Sequence, residues 1–105
     1  MAAEKKSEQD IIQATIAERG KVYGDVTLSH ENIGLAWTGI IQQHYGIRLD
    51  HPIPSWLAEL MMVSFKVQRS ARVYHGDNFI DAQAYLQFAE TDQSAAFNKQ
   101  SNKTK

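Results

Sequence analysis

The stretch Pro54-Ser55-Trp56-Leu57-Ala58-Glu59-Leu60-Met61-Met62-Val63-Ser64-Phe65-Lys66-Val67-Gln68-Arg69-Ser70-Ala71-Arg72-Val73-Tyr74 decides the fold. One stripe along it reads Trp56, Leu60, Val63, Val67, Ala71, Tyr74. In the first half the other azimuths are apolar too, with Leu57, Ala58, Met61, Met62 and Phe65. A helix apolar all round is a buried helix, so roughly 20 residues from Ser55 to Tyr74 are expected to form the central element, its Trp56 stripe facing the core. Pro54 suits the N-cap or first turn, with Ser55 as the competing cap. The second half turns basic at Lys66, Arg69 and Arg72 and ends at His75-Gly76.

Downstream, Asp77 or Asn78 is expected to cap a fourth helix with a core face of Phe79, Ala82, Leu86 and Ala89. The short link makes helices three and four an antiparallel hairpin. Upstream, Ser29 is expected to cap a second helix bearing Ile33, Trp37, Ile40 and His44, stopped by Gly46. A first helix spans Ser7 to Arg19 and stops at Gly20, leaving Lys21 to Leu28 as a structured loop. After Glu90 the chain is polar, and residues 91–105, like residues 1–6, are expected to be mostly disordered. No alternating strand pattern is present. The expected fold is therefore all-α: a four-helix, bundle-like single domain over residues 7–90 with a polar C-terminal tail.

Composition narrows the function classes. Eleven basic and 12 acidic residues give a net charge of −1, which argues against bulk nucleic-acid binding. No apolar run approaches the roughly 20 residues of a membrane span. Met1 to Ser7 lack the apolar core of a secretory signal, and cysteine is absent. The expectation is a small intracellular domain. A core of about 80 ordered residues is marginal alone. The apolar surplus at Met61, Met62 and Phe65 therefore predicts a homo-oligomer whose interface includes the first half of helix three.

Two groups of residues carry candidate chemistry. Lys66, Arg69 and Arg72 recur every three residues and are neighbours on a helix surface; guanidinium forks suit phosphate oxygens. Arg19 and Lys21 extend that patch, and Tyr23, Tyr74 and Tyr85 offer rings for a base to stack on. The second group is Asp77 and Asp81, four apart on one helical face. They serve either as magnesium ligands or as partners of Arg69 or Arg72 across the hairpin. His30, His44, His51 and His75 have no two-ligand helical spacing, so zinc is not expected. His30 and His44 read as helix-terminal histidines.

The segments Glu18-Arg19-Gly20-Lys21-Val22-Tyr23-Gly24-Asp25, Lys66-x-x-Arg69 and His75-Gly76-Asp77-Asn78-x-x-Asp81-x-x-x-Tyr85 resemble a family of small tailed-phage proteins. The resemblance covers Ile11 to Glu90 and implies a bacteriophage origin and a role in the host cytoplasm. More distantly, the hairpin resembles MazG-like all-α nucleotide pyrophosphohydrolases, which hold magnesium over a nucleoside triphosphate with paired acidic motifs. Asn78-x-x-Asp81 with Tyr85 is similar to the second of those motifs, with an amide for the first acid. The first motif is absent, its place taken by Lys66, Arg69 and Arg72.

The function expected is binding of a phosphorylated, nucleotide-like ligand without turnover, as a counter-defence sponge for an immune signalling nucleotide. Arg19, Lys66, Arg69 and Arg72 would hold phosphates, and Tyr74 or Tyr85 would stack. One alternative is a magnesium-dependent nucleotide pyrophosphohydrolase using Asp77 and Asp81, with Glu59 as a third candidate ligand. The other is an oligomeric inhibitor or adaptor docking on a host protein.

Overall fold

The computed structural model describes the backbone of residues 7–23 and 25–103 and the side chains of residues 7–17 and 25–99. The order of elements is α1 (Glu8–Tyr23), α2 (Val26–Tyr45), α3 (Ser55–Arg72) and α4 (Gly76–Lys103). The fold is all-α among the described residues. Helices α3 and α4 form the antiparallel hairpin and pack most extensively, α2 lies on α3, and α1 lies on α4. No described helix is long and apolar enough to cross a membrane.

Local chemistry explains most boundaries. Ser7 caps α1 through its Oγ, which accepts the Asp10 N–H at 3.1 Å. Asp25 caps α2, its Oδ1 accepting the N–H groups of Thr27 at 2.9 Å and Leu28 at 3.3 Å. Gly46 ends α2 in the left-handed region, φ 63°, a conformation glycine adopts without a Cβ penalty. Pro54 precedes α3 with no side-chain cap; its carbonyl accepts the N–H groups of Leu57 and Ala58. Val73, in extended conformation, ends α3, and the chain turns within residues 73–75 into α4.

The connector between α2 and α3 is fastened to α2. Thr38 Oγ1 donates to the Gly34 carbonyl at 2.7 Å and accepts the Ile53 N–H at 2.8 Å. A Cβ on Gly34 would stand 2.1 Å from the Ile53 carbonyl oxygen, so only glycine permits this approach.

Several boundaries and faces differ from the sequence expectation. Helix α1 does not stop at Gly20 but continues to Tyr23; one glycine in a helix costs only about 1 kcal/mol. Helix α2 starts at Val26 rather than after Ser29, because the Asp25 carboxylate is the N-cap. Helix α4 continues past Glu90 to Lys103. No glycine or proline interrupts that segment, and the Phe97 ring lies 6.2 Å from Trp56 on α3.

The buried seam is also rotated from the apolar stripes. Its residues are His30, Gly34 and Thr38 on α2, Ser55, Ala58 and Glu59 on α3, and Asn78, Ala84 and Ala89 on α4. The Trp56 stripe does not face the core along its length: Val67 is 59% and Tyr74 78% exposed. Ile40, Phe79 and Leu86, expected inside, are exposed as well. Small and short polar side chains let helices approach closely, so they occupy the seam while larger apolar groups flank it.

Candidate functional site

The C-terminal half of α3 and the start of α4 enclose an open cleft of about 500 Å³. Its walls are Phe65, Gln68, Arg69 and Arg72 from α3, Val73 and His75 from the turn, and Asn78 from α4. The Asn78 side chain is buried, and its backbone N–H donates to the His75 carbonyl at 3.0 Å. The Arg69 guanidinium lies 5.5 Å from the centroid of the Phe65 ring, a cation–π distance. Among the described residues neither Arg69 nor Arg72 has a carboxylate within ion-pair reach. Two guanidiniums thus line a concave, partly apolar corner without a protein anion to neutralise them.

Lys66 belongs elsewhere. Its Nζ is 3.0 Å from Asp81 Oδ2, with both side chains mostly buried in the α3–α4 seam. This corrects the expected Arg69–Asp81 pairing. Lys66 is seven residues beyond Glu59 and falls within about 20° of that buried azimuth, whereas Arg69 is rotated about 80° from it. The remaining expected site residues separate further. Tyr74 projects to solvent with its ring 5.9 Å from that of Phe79, and Tyr85 is half-buried with its ring 5.6 Å from that of His30. The Arg19, Lys21 and Tyr23 side chains lie outside the described residues. Of the expected phosphate set, the cleft brings together Arg69 and Arg72.

The candidate magnesium carboxylates do not converge. Asp77 is exposed, Asp81 faces Lys66, and Glu59 lies about 10 Å along α3 from Lys66. Among the described residues no group of three or more acidic or histidine side chains is arranged to hold a metal ion.

A buried polar cluster that the sequence did not flag joins α2, α3 and α4. His30 Nδ1 and Glu59 Oε2 are 2.5 Å apart, and Glu59 is fully buried. The His30 ring also packs edge-on to Phe88, centroids 5.6 Å apart. Asp92 lies within hydrogen-bonding reach of Glu59, while its Oδ1 accepts the Thr27 hydroxyl at 3.1 Å. Burial pushes the Glu59 carboxyl up to about 7; the neighbouring Asp92 adds to the rise and His30 opposes it. The sequence signal was present: Glu59 is the only charged residue between Pro54 and Lys66. A cap at Ser29 puts His30 at a helix end, whereas the Asp25 cap places it a full turn inside α2.

The fold and cleft define a small helical-hairpin protein with a cationic corner. The chain belongs to a family described as a domain of unknown function, DUF6378, whose model matches residues 9–92. That match reaches from α1 past the cleft to Asp92 on α4. No curated protein and no solved structure matches the chain.

Proposed function

We propose that this protein binds a small phosphorylated, nucleotide-like ligand in the cleft between α3 and α4 and does not turn it over. The observation that carries the reading is the pair of unneutralised guanidiniums, Arg69 and Arg72, lining a concave corner. Charge-assisted bonds from such forks to phosphate oxygens are among the stronger polar contacts. Phe65 and Val73 supply apolar walls for a planar group, and Asn78 and His75 add polar groups beside it. Together with the likeness of its motifs to small tailed-phage proteins, this supports a counter-defence sponge that sequesters an immune signalling nucleotide in the host cytoplasm.

The reading includes self-association. Among the described residues Ile12, Ile53, Ala58, Ala84 and Ala89 are the buried apolar ones, whereas Leu28, Leu35, Ile40, Phe65, Val67 and Phe79 are all exposed. A second copy of the chain would cover part of that surface.

Titration calorimetry against cyclic dinucleotides, ADP-ribose and nucleoside mono- and triphosphates tests the ligand reading, with a parallel pyrophosphate-release assay. Micromolar binding without phosphate or pyrophosphate release supports it. Magnesium-dependent release abolished by Asp81→Ala would favour the hydrolase instead.

A further inference from the structure

We propose that Glu59 and Asp92 share one proton, and that this shared proton is a latch fastening the distal part of α4 to α2 and α3. Glu59 Oε1 and Asp92 Oδ2 are both buried and lack a conventional hydrogen-bond partner. The opposite oxygens are engaged: Glu59 Oε2 with His30 and Asp92 Oδ1 with the Thr27 hydroxyl. With Glu59 buried and the facing Asp92 Oδ2 also out of water, both groups cannot be charged without a repulsive cost, whereas a carboxylic acid donating to a carboxylate removes that cost and satisfies both oxygens. The upward displacement of the Glu59 carboxyl agrees with this arrangement.

Among the described residues, His30 is the group that opposes the rise at Glu59. His30 on α2 faces Glu59 through Nδ1, and Thr27 on α2 is neutral. On α3, Lys66 is two turns away and engaged by Asp81. On α4, the nearby Tyr85 and Phe88 present rings to His30. On α1, Glu8 meets Gln83 and Gln13 meets Gln87, so neither turns toward the pair. Loss of the shared proton to solvent leaves two anions facing each other and loosens α4 around Asp92.

The test compares the full chain with Glu59→Gln and Asp92→Asn between pH 5 and pH 8. A glutamine at 59 accepts from His30 and donates to Asp92, reproducing the protonated acid at every pH. The expected result is a wild-type melting temperature that falls from pH 5 to pH 8 and a nearly flat profile in Glu59→Gln. Wild-type amide exchange over residues 88–99 should accelerate with pH beyond the intrinsic chemical increase, and this excess should vanish in Glu59→Gln. Carboxyl-carbon NMR of the wild type should show Glu59 titrating well above the ordinary carboxylate range. The proposal is overturned if Glu59 titrates below pH 5, or if Glu59→Gln keeps the wild-type pH slope. Should Glu59→Gln fail to fold, the carboxyl titration of the wild type decides alone.

Discussion

Lys66 on α3 and Asp81 on α4 are joined across the hairpin at 3.0 Å, with their side chains 14% and 20% exposed. This pair takes the lysine out of the cationic surface and leaves Arg69 and Arg72 as the groups open to an anion. It also bridges the two helices of the hairpin. Lys66→Ala is therefore expected to lower stability by about 1–3 kcal/mol, between the values for exposed and for buried pairs. The Lys66→Ala/Asp81→Ala double variant should recover part of the summed loss in a urea-denaturation cycle. Strict additivity would mean that the pair is not coupled.

Gly34 and Gly39, both on α2, make opposite predictions. A methyl group at 34 collides with the Ile53 carbonyl oxygen, while nothing lies within 4 Å of one at 39. Gly34→Ala should destabilise by about 1–3 kcal/mol through forced displacement of the connector. Gly39→Ala should stabilise by up to about 1 kcal/mol through helix propensity. Thermal denaturation of the two variants side by side checks both signs.

Stability should depend on pH through Glu59. Its carboxyl titrates near 7 in the folded chain, raised from the ordinary 4.5. A raised acid binds more protons folded than unfolded between those values, so stability is greatest below about pH 4.5. It falls as pH rises toward 7 and levels off above, a loss on the order of 3 kcal/mol for this group alone. Urea midpoints measured from pH 4.5 to pH 8 should decline across that window. A midpoint rising through it would contradict the assignment.

Self-association has its own check. Sedimentation velocity at micromolar concentration should show a species heavier than the 11.9 kDa chain. A strict monomer would mean that the exposed Leu35, Ile40, Phe65 and Phe79 stay in water or await another partner.

The helix count and the hairpin were legible from Pro54, Gly46 and the run from Trp56 to Phe65, because caps and hydrophobic runs are local signals. The faces were not. Periodicity assigns the largest apolar residues to the core, yet here the seam is filled by Gly34, Thr38, Ser55, Ala58 and Ala84, whose small size sets the interhelical distance. The arginines of the cleft were visible as a basic run. Their separation from Lys66 was not, since a three-residue spacing advances about 60° at each step short of a full turn. The His30–Glu59–Asp92 cluster draws on three helices, and its members lie 29 and 33 residues apart in sequence. No single segment carries that signal beyond the isolated Glu59.

The most direct measurement is calorimetric titration of the wild type, Arg69→Glu and Arg72→Glu with the nucleotide panel, alongside their melting temperatures. At least one phosphorylated compound should bind the wild type at micromolar concentration. Each charge reversal should weaken it about 10-fold or more with little change in melting, because among the described residues neither guanidinium has an ion-pair partner to lose. The absence of any micromolar binder, or equal affinity in all three proteins, would contradict a phosphate-binding cleft.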